Sequence, residues 1–248
     1  MTLKVDLHIH SCLSPCGSLE MSPRRILEEA QAKNLDIIAL TDHNTALNCP
    51  TLLSLAKNTN IVVFPGLEIT SREEVHILAL FEHLEEALDM GQWIYPSLTE
   101  FPYDAEKYGD QVYVDENEVI LGEVSVYLGQ ACSYTLEEIV DTIHQHNGLA
   151  IPSHIDRPGS GLLDNLGFLL PQEKTRFDAI ELSRYYWLSP FPIPNKEDYP
   201  CLSSSDAHFP EAIGTLVSTI DTEEKSWQGF CKALHERQIK AGIFPSNI

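Results

Sequence analysis

Apolar and polar residues alternate near the start of the chain, where Val5, Leu7 and Ile9 are interleaved with Asp6, His8 and His10. That two-residue period predicts a strand, which sends every second side chain to one face, so His8 and His10 project together. Ser22-Pro23 reads as an N-cap followed by proline in the first turn, and predicts a helix to about Lys33 that buries Ile26, Leu27 and Ala30. The run at 36–40 is nearly all apolar, as in a central parallel strand covered on both faces, and it ends at Thr41-Asp42-His43. Residues 51–58 predict a short helix, 61–68 a strand ending on Glu68, and 75–80 another strand with His76 near its start.

From 82 to 133 the pattern weakens over a stretch too long for an ordinary connection. Within it 112–114 and 119–121 flank Asp115-Glu116-Asn117-Glu118 as a hairpin, and the whole segment is expected to be an insertion or lid over the fold. Regularity returns at Thr135-Leu136-Glu137-Glu138, a capping box that opens a helix through Ile139, Val140 and Ile143 and stops before Gly148. A strand at 149–152 leads to Ser153-His154, and another covers 177–182. After a proline-rich loop at 189–200, Leu202-Ser203-Ser204 leads into Ser205-Asp206-Ala207-His208. A strand near Leu216 and a helix over about 223–236 close the chain.

Strands separated by helices imply a parallel sheet, and polar residues directly after strands lie at their carboxyl ends, the face that carries the chemistry in α/β barrels. His8, His10, His43, Glu68, His154, Asp206 and His208 are therefore expected to converge. His144 and His146 share the H-x-H spacing but fall on a predicted helix, where residues two apart diverge, so they are expected at the surface, as are His83 and His235. Asp6 either orients a histidine or serves only the strand. The serines at 203–205 lack a GxSxG elbow and make no case for a nucleophile.

Composition adds bounds. With 248 residues and 43% hydrophobic content, one compact domain over 1–248 is expected. A formal charge of −21 repels polyanions, which predicts a small phosphorylated substrate and no duplex nucleic acid as partner. Six cysteines, at 12, 16, 49, 132, 201 and 231, form no CxxC pair and no cleavable leader is evident, which points to the cytoplasm. No apolar run approaches the roughly 20 residues of a membrane span, so no membrane partner is expected, and oligomeric state is not readable.

The motifs DLHIHS at 6–11, TDH at 41–43, PSH at 152–154 and SDAH at 205–208, with PGLE at 65–68 and VHIL at 75–78 between them, make the chain similar to the PHP (polymerase and histidinol phosphatase) domain family. The resemblance covers nearly the whole chain. It implies an α/β fold, a distorted (β/α)7 TIM-like barrel holding two or three divalent metal ions, and phosphoester hydrolysis. It also brings His76 into the ligand set, and it places Cys16 in the loop where many members carry a histidine or aspartate. The implied metal ligands are thus His8, His10, Cys16, His43, Glu68, His76, His154, Asp206 and His208.

Six histidines with two carboxylates suit zinc, manganese or iron better than magnesium or calcium, which prefer oxygen ligands. Glu68 is the expected bridge between two ions and Asp206 a further catalytic carboxylate, with a hydroxide shared between metals as the nucleophile. Arg157 and Arg184 are expected to hold phosphate oxygens, the alternative for each being a surface ion pair. The leading reading is a phosphoesterase acting on a small phosphomonoester or nucleotide. A metal-dependent C–N hydrolase of the amidohydrolase type would call for a strand-borne lysine, absent from every motif position, and a non-catalytic metal-stabilised module would have lost ligands.

Overall fold

The computed structural model describes residues 1–100, 103–186, 193 and 195–242. Much of the proline-rich loop expected at 189–200, namely 189–192 and 194, lies outside the described residues. The first half runs β1 (Thr2–Asp6), α1 (Pro23–Ala32), β2 (Ile37–Leu40), α2 (Cys49–Ala56), β3 (Val62–Thr70) and β4 (His76–Leu80). Ser22 caps α1, its hydroxyl accepting the Arg25 N–H at 3.2 Å, with Pro23 in the first turn where a missing N–H removes no helical bond. In β2, Ile37 and Ala39 enter the core shared with Phe230 and Leu234, while Ile38 and Leu40 enter the one beneath α1, so the strand is buried on both faces.

Next come α3 (Leu84–Ile94), α4 (Ala105–Tyr108) and the hairpin β5 (Val112–Val114) with β6 (Ile120–Glu123). The segment holding them is fastened inward: Asn44 Nδ2 donates to the carbonyls of Leu128 and Gln130 at 2.7 and 2.9 Å, and the Val112 N–H donates to the Cys12 carbonyl at 3.3 Å. α5 (Leu136–Gln145) opens on the Thr135–Glu138 capping box and leads to β7 (Leu149–Pro152). After the short α6 (Leu162–Leu166) and α7 (Gln172–Thr175), β8 (Ile180–Glu181) pairs with β9 (Cys201–Leu202). β10 (Ser218–Asp221), α8 (Trp227–His235) and β11 (Ile239–Ala241) complete the order.

The main sheet is mixed, not parallel, in the order β11-β10-β1-β2-β3-β4-β7. Only β1-β2 and β2-β3 in it are parallel. β4 reverses because the turn at 71–75, closed by Ser71 N–H to the Val75 carbonyl at 2.9 Å, is too short for a crossover helix. β10 and β11 likewise run antiparallel, and β8-β9 forms a separate two-stranded sheet. The chain is a mixed α/β fold with a curled half-barrel sheet, consistent with the distorted barrel that the resemblance implies, although the described strands do not reproduce its (β/α)7 count. The reversal of β4 has a direct consequence: the start of that strand, where His76 sits, lies at the same edge as the end of β3. The strand expected over 177–182 is confined to two residues, the strand expected near Leu216 starts at Ser218, and a further strand, β11, follows the helix expected to close the chain.

Candidate metal centre

Beyond Asp6 the chain stays extended, with the Ala207 N–H donating to the His8 carbonyl at 3.3 Å and the His10 N–H to the Ala207 carbonyl at 3.0 Å. The alternation of the strand thus persists past its ladder. Both imidazoles are fully buried and turned the same way, with their Nε2 atoms 3.1 Å apart.

The surrounding network assigns the protons. His8 Nδ1 lies 2.9 Å from Glu181 Oε2, an acceptor, so that nitrogen carries the hydrogen. His10 Nδ1 lies 3.0 Å from Ser14 Oγ, whose own hydrogen goes to Asp42 Oδ1 at 2.7 Å, so His10 Nδ1 is a donor as well. In the neutral form each ring would then point an Nε2 lone pair at the other, so the pair calls for a metal ion or a ring proton between them. Two lone pairs at 3.1 Å in a buried site repel unless positive charge lies between them.

Glu68, 1% exposed, is the hub. Its Oε1 is 3.0 Å from His76 Nδ1, 3.2 Å from His154 Nε2 and 3.3 Å from His8 Nε2, and its Oε2 is 3.3 Å from both His10 Nε2 and His43 Nδ1. The His43 contact lacks hydrogen-bond alignment, leaving that buried nitrogen without a hydrogen-bond partner. Asp206 Oδ1 stands 3.4 Å from His8 and His10 Nε2, while its Oδ2 accepts Arg157 Nη1 at 2.6 Å. His208 Nδ1 donates to the Asp206 carbonyl at 2.8 Å, which leaves its Nε2 as an acceptor.

Ligand-type atoms form four overlapping groups, each within 4.8 Å: His10, Cys16, His43 and His208; His8, Glu68 and His154; His8, His10 and Asp206; His43, Glu68 and His76. All nine residues expected as ligands fall in these groups. Imidazole nitrogens and carboxylate oxygens aimed at shared points fit a divalent transition metal. The backbone is strained at two of the nine, His154 with φ 29° and Asp206 with φ 51°, both left-handed and neither glycine.

Electrostatics show the same demand for positive charge. Burial works to raise the Glu68 carboxyl, but His8, His76 and His43 outweigh it and hold the group well below the usual range. Asp206 is likewise held down, by His8 and His10 against burial. Burial would lower His10, yet hydrogen bonds to Asp206 and Glu68 carry it to about 9. His43 and His208 go the other way, desolvated and beside His10, with His208 near about 4.

The other expected residues divide. Cys16 is exposed at the rim, and protein packed around its sulfur, then the charges of Glu68 and Asp206, hold the thiol above its ordinary range. Arg157 and Arg184 both line a cavity of about 520 Å³ over the cluster; Arg157 pairs with Asp206, and Arg184 Nη2 donates to the Ser205 carbonyl at 3.0 Å. Asp6 orients no histidine: its oxygens accept the Ser205 and Gly214 N–H groups at 3.0 and 2.9 Å, fixing the segment that carries Asp206, and burial lifts its carboxyl to about 6. Sequence reasoning missed Glu181, although it stands at a strand's carboxyl end like the residues it did select. It also missed Asp42, which accepts from Ser11 and Ser14 and so aims His10.

A family model described as the PHP domain matches residues 6–151, and a second, PHP-associated, matches 194–239. An uncharacterized protein of Methanocaldococcus jannaschii is 36% identical over 88 residues, 32% of this chain and 50% of that one. A 5′-3′ exoribonuclease of Haemophilus influenzae is 36% identical over 83 residues, 32% of this chain and 29% of that one. The chain thus spans half or less of the length of these curated relatives. Among solved structures, the lesion-specific endonuclease Q of Pyrococcus furiosus superposes with a TM-score of 0.68 at 20% identity, over 95% of this chain and 56% of that one. A complex of endonuclease Q with a 27-mer duplex carrying an abasic lesion at the active site gives 0.68 at 19% identity, over 95% and 57%. A two-domain protein of Bacteroides vulgatus containing a predicted PHP-like metal-dependent phosphoesterase gives 0.57 at 17%, over 96% and 64%.

At these identities the structures speak for the fold, and the fold is that of metal-dependent phosphoesterases and nucleases. They also overturn one expectation. A charge of −21 favours a small phosphorylated substrate over duplex nucleic acid, yet a chain of this fold holds duplex DNA with an abasic lesion at its active site. Net charge is a sum over the whole surface, whereas screening limits each charge to roughly 10 Å, so the field at a site is set by its own cations. No helix among the described residues is long and apolar enough to cross a membrane.

Proposed function

Because the chain belongs to the PHP domain family, we propose that it is a metal-dependent phosphoesterase that hydrolyses phosphodiester bonds in nucleic acid. The observation that carries this reading is the facing Nε2 pair of His8 and His10, ringed by Glu68 and by Asp206, which itself lines a cavity with His154, His208 and two arginines. The nucleic-acid substrate is favoured by the fold shared with endonuclease Q and by the part-length likeness to an exoribonuclease.

In this reading His8, His10, Cys16, His43, Glu68, His76, His154, Asp206 and His208 hold two or three zinc, manganese or iron ions. Bound there, such ions supply Lewis-acid polarisation of the phosphoryl group and an activated water. The protein's own part is positional. Glu68 offers one oxygen to His8, His76 and His154 and the other to His10 and His43, which suits a bridging carboxylate. Glu181 keeps His8 in the tautomer that aims Nε2 inward, and Asp42 through Ser14 does the same for His10. Arg157 and Arg184 flank the cavity and orient phosphate oxygens with donors not used on the protein. No lysine lines this cavity among the described residues, which speaks against the C–N hydrolase alternative. We take 1–248 as one domain, with 82–133 an insertion whose described residues are tied to Asn44 and to the loop after the first strand at Cys12.

The test is elemental analysis of the purified protein, followed by cleavage assays on single- and double-stranded RNA and DNA, an abasic duplex and a simple phosphomonoester. Chelator-sensitive cleavage of a phosphodiester is expected. A metal-replete protein inert toward every nucleic acid would sink the proposal.

A further inference from the structure

Two aromatic rings stand at the mouth of the cavity. Tyr185 is 62% exposed and Phe209 53% exposed, and both line the same space of about 520 Å³ as Arg157 and Arg184. That volume lies within the roughly 300–1,000 Å³ of small-molecule sites. Each ring directly follows a residue of the site in sequence, Tyr185 after Arg184 and Phe209 after His208. Other large apolar side chains of this chain are as exposed, Phe168 and Ile120 among them, so what sets these two rings apart is their place at the cavity beside the arginines.

The backbone holding them is built. Asp156, 3% exposed, accepts the Ser183 N–H at 2.8 Å and the Ser183 hydroxyl at 2.7 Å, and Ser183 Oγ in turn accepts the Tyr185 N–H at 3.1 Å. Arg184 ties the same turn to the Ser205 carbonyl and to Thr215 Oγ1, at 3.0 and 3.2 Å. Phe209 sits in extended conformation, φ −137° and ψ 149°, at the head of the 3-10 turn Pro210–Ala212, and the Ala212 N–H donates to its carbonyl at 3.0 Å. Two exposed rings on fixed backbone thus line the same cavity as two guanidinium groups. The ligand with both complements is a nucleotide, whose base offers a π-face of any sequence and whose phosphate takes the charge.

We propose that Tyr185 and Phe209 form a nucleobase-stacking subsite, so that the cavity takes one nucleotide unit with its base on these rings and its phosphate toward Arg157, Asp206 and the histidines. This rests on the nucleic-acid reading above and specifies how that substrate is held.

The test compares adenosine 5′-monophosphate with ribose 5-phosphate, which keeps the phosphate and sugar and lacks the base. Titration calorimetry on the metal-loaded protein should show the nucleotide binding more tightly. Tyr185→Ala and Phe209→Ala should each raise its Kd about fivefold to a hundredfold, the range for one stacked base, and leave ribose 5-phosphate unchanged. Tyr185→Phe and Phe209→Tyr should restore nucleotide binding, which a loss of fold would not allow. Equal affinity of the wild type for the two probes, or parallel loss of both in the alanine variants, overturns the subsite. If the nucleotide preference is present and lost with the rings while no nucleic acid is cleaved, the subsite stands and the nuclease reading falls. Cleavage of nucleic acid without nucleotide preference is the reverse result and removes the subsite alone.

Discussion

His8 and His10 in one region and His144 and His146 in another share the same H-x-H spacing, and the fold uses them in opposite ways. The first pair meets in a buried cluster with Nε2 atoms 3.1 Å apart. The second pair spans the end of α5, where residues two apart are turned about 200° from one another, and each ring finds a separate partner. His144 Nε2 is 2.9 Å from Asp178 Oδ2, and His146 Nδ1 is 2.9 Å from the Thr142 carbonyl. A spacing therefore has chemical meaning only through the period of the element that carries it. Burial separates the pairs as well: the rings at 8 and 10 are sealed from water, while those at 144 and 146 are partly exposed.

The contrast is broken most severely at its centre. His8→Ala or His10→Ala should abolish cleavage and lower bound metal by elemental analysis, whereas His144→Ala and His146→Ala should leave both unchanged; equal losses in the two pairs would refute the distinction. Glu68→Gln comes next. Even residues that only support a ligand change metal affinity or activity about 10- to 100-fold, so a carboxylate facing five histidines should exceed that range, measured by metal content and turnover together.

Glu181→Ala tests the support itself. It removes the acceptor for His8 Nδ1, and a loss of about 10- to 100-fold in metal affinity is expected, with Glu181→Gln keeping part of it because an amide carbonyl can accept the same hydrogen. Cys16→Ala is a smaller change at the exposed rim. Metal content should fall by a fraction of an ion and return with Cys16→Asp or Cys16→His, while Cys12→Ala, whose thiol faces the Val112 carbonyl, leaves it unaltered.

The smallest effect belongs to the surface pair and appears only in stability. The hydrogen bond to Asp178 raises His144 above its ordinary value, against some desolvation. A raised folded-state pKa adds stability that is fully present below the unfolded value, about 6.5, and disappears as pH rises through the folded value. Both partners are more than a quarter exposed, so the gain is expected at or below about 1 kcal/mol. Denaturation of His144→Ala against wild type should therefore differ more at pH 5 than at pH 9, and an identical difference at both would remove the pair as a contributor.

Much of the centre was legible because its residues sit in short motifs with local reasons for their shape. The caps at Ser22 and Thr135, the doubly buried β2 and the inward turn of His8 and His10 follow from neighbours a few positions away. His76 shows the limit. From the residues alone it is a half-buried strand position; it reaches Glu68 because a short turn reverses β4, pairing Thr70 with His76 and Glu68 with Leu78. Glu181 shows it again, since nothing near it in sequence says that His8, 173 positions earlier, will need an acceptor. The charge argument failed for a related reason, as composition averages over a surface on which Arg157 and Arg184 are gathered at one cavity.

What the sequence determined by itself was the set of side chains able to bind a metal and the periodicity that sends most of them to strand ends, because alternation and capping act over a few residues. Tertiary structure decided which lone pairs face each other, which carboxylate they share and which rings stand over them. Those relations depend on strand direction and on contacts between residues up to two hundred positions apart, such as the Ser205 N–H that holds Asp6 at 3.0 Å, and only the folded sheet brings them within hydrogen-bond reach.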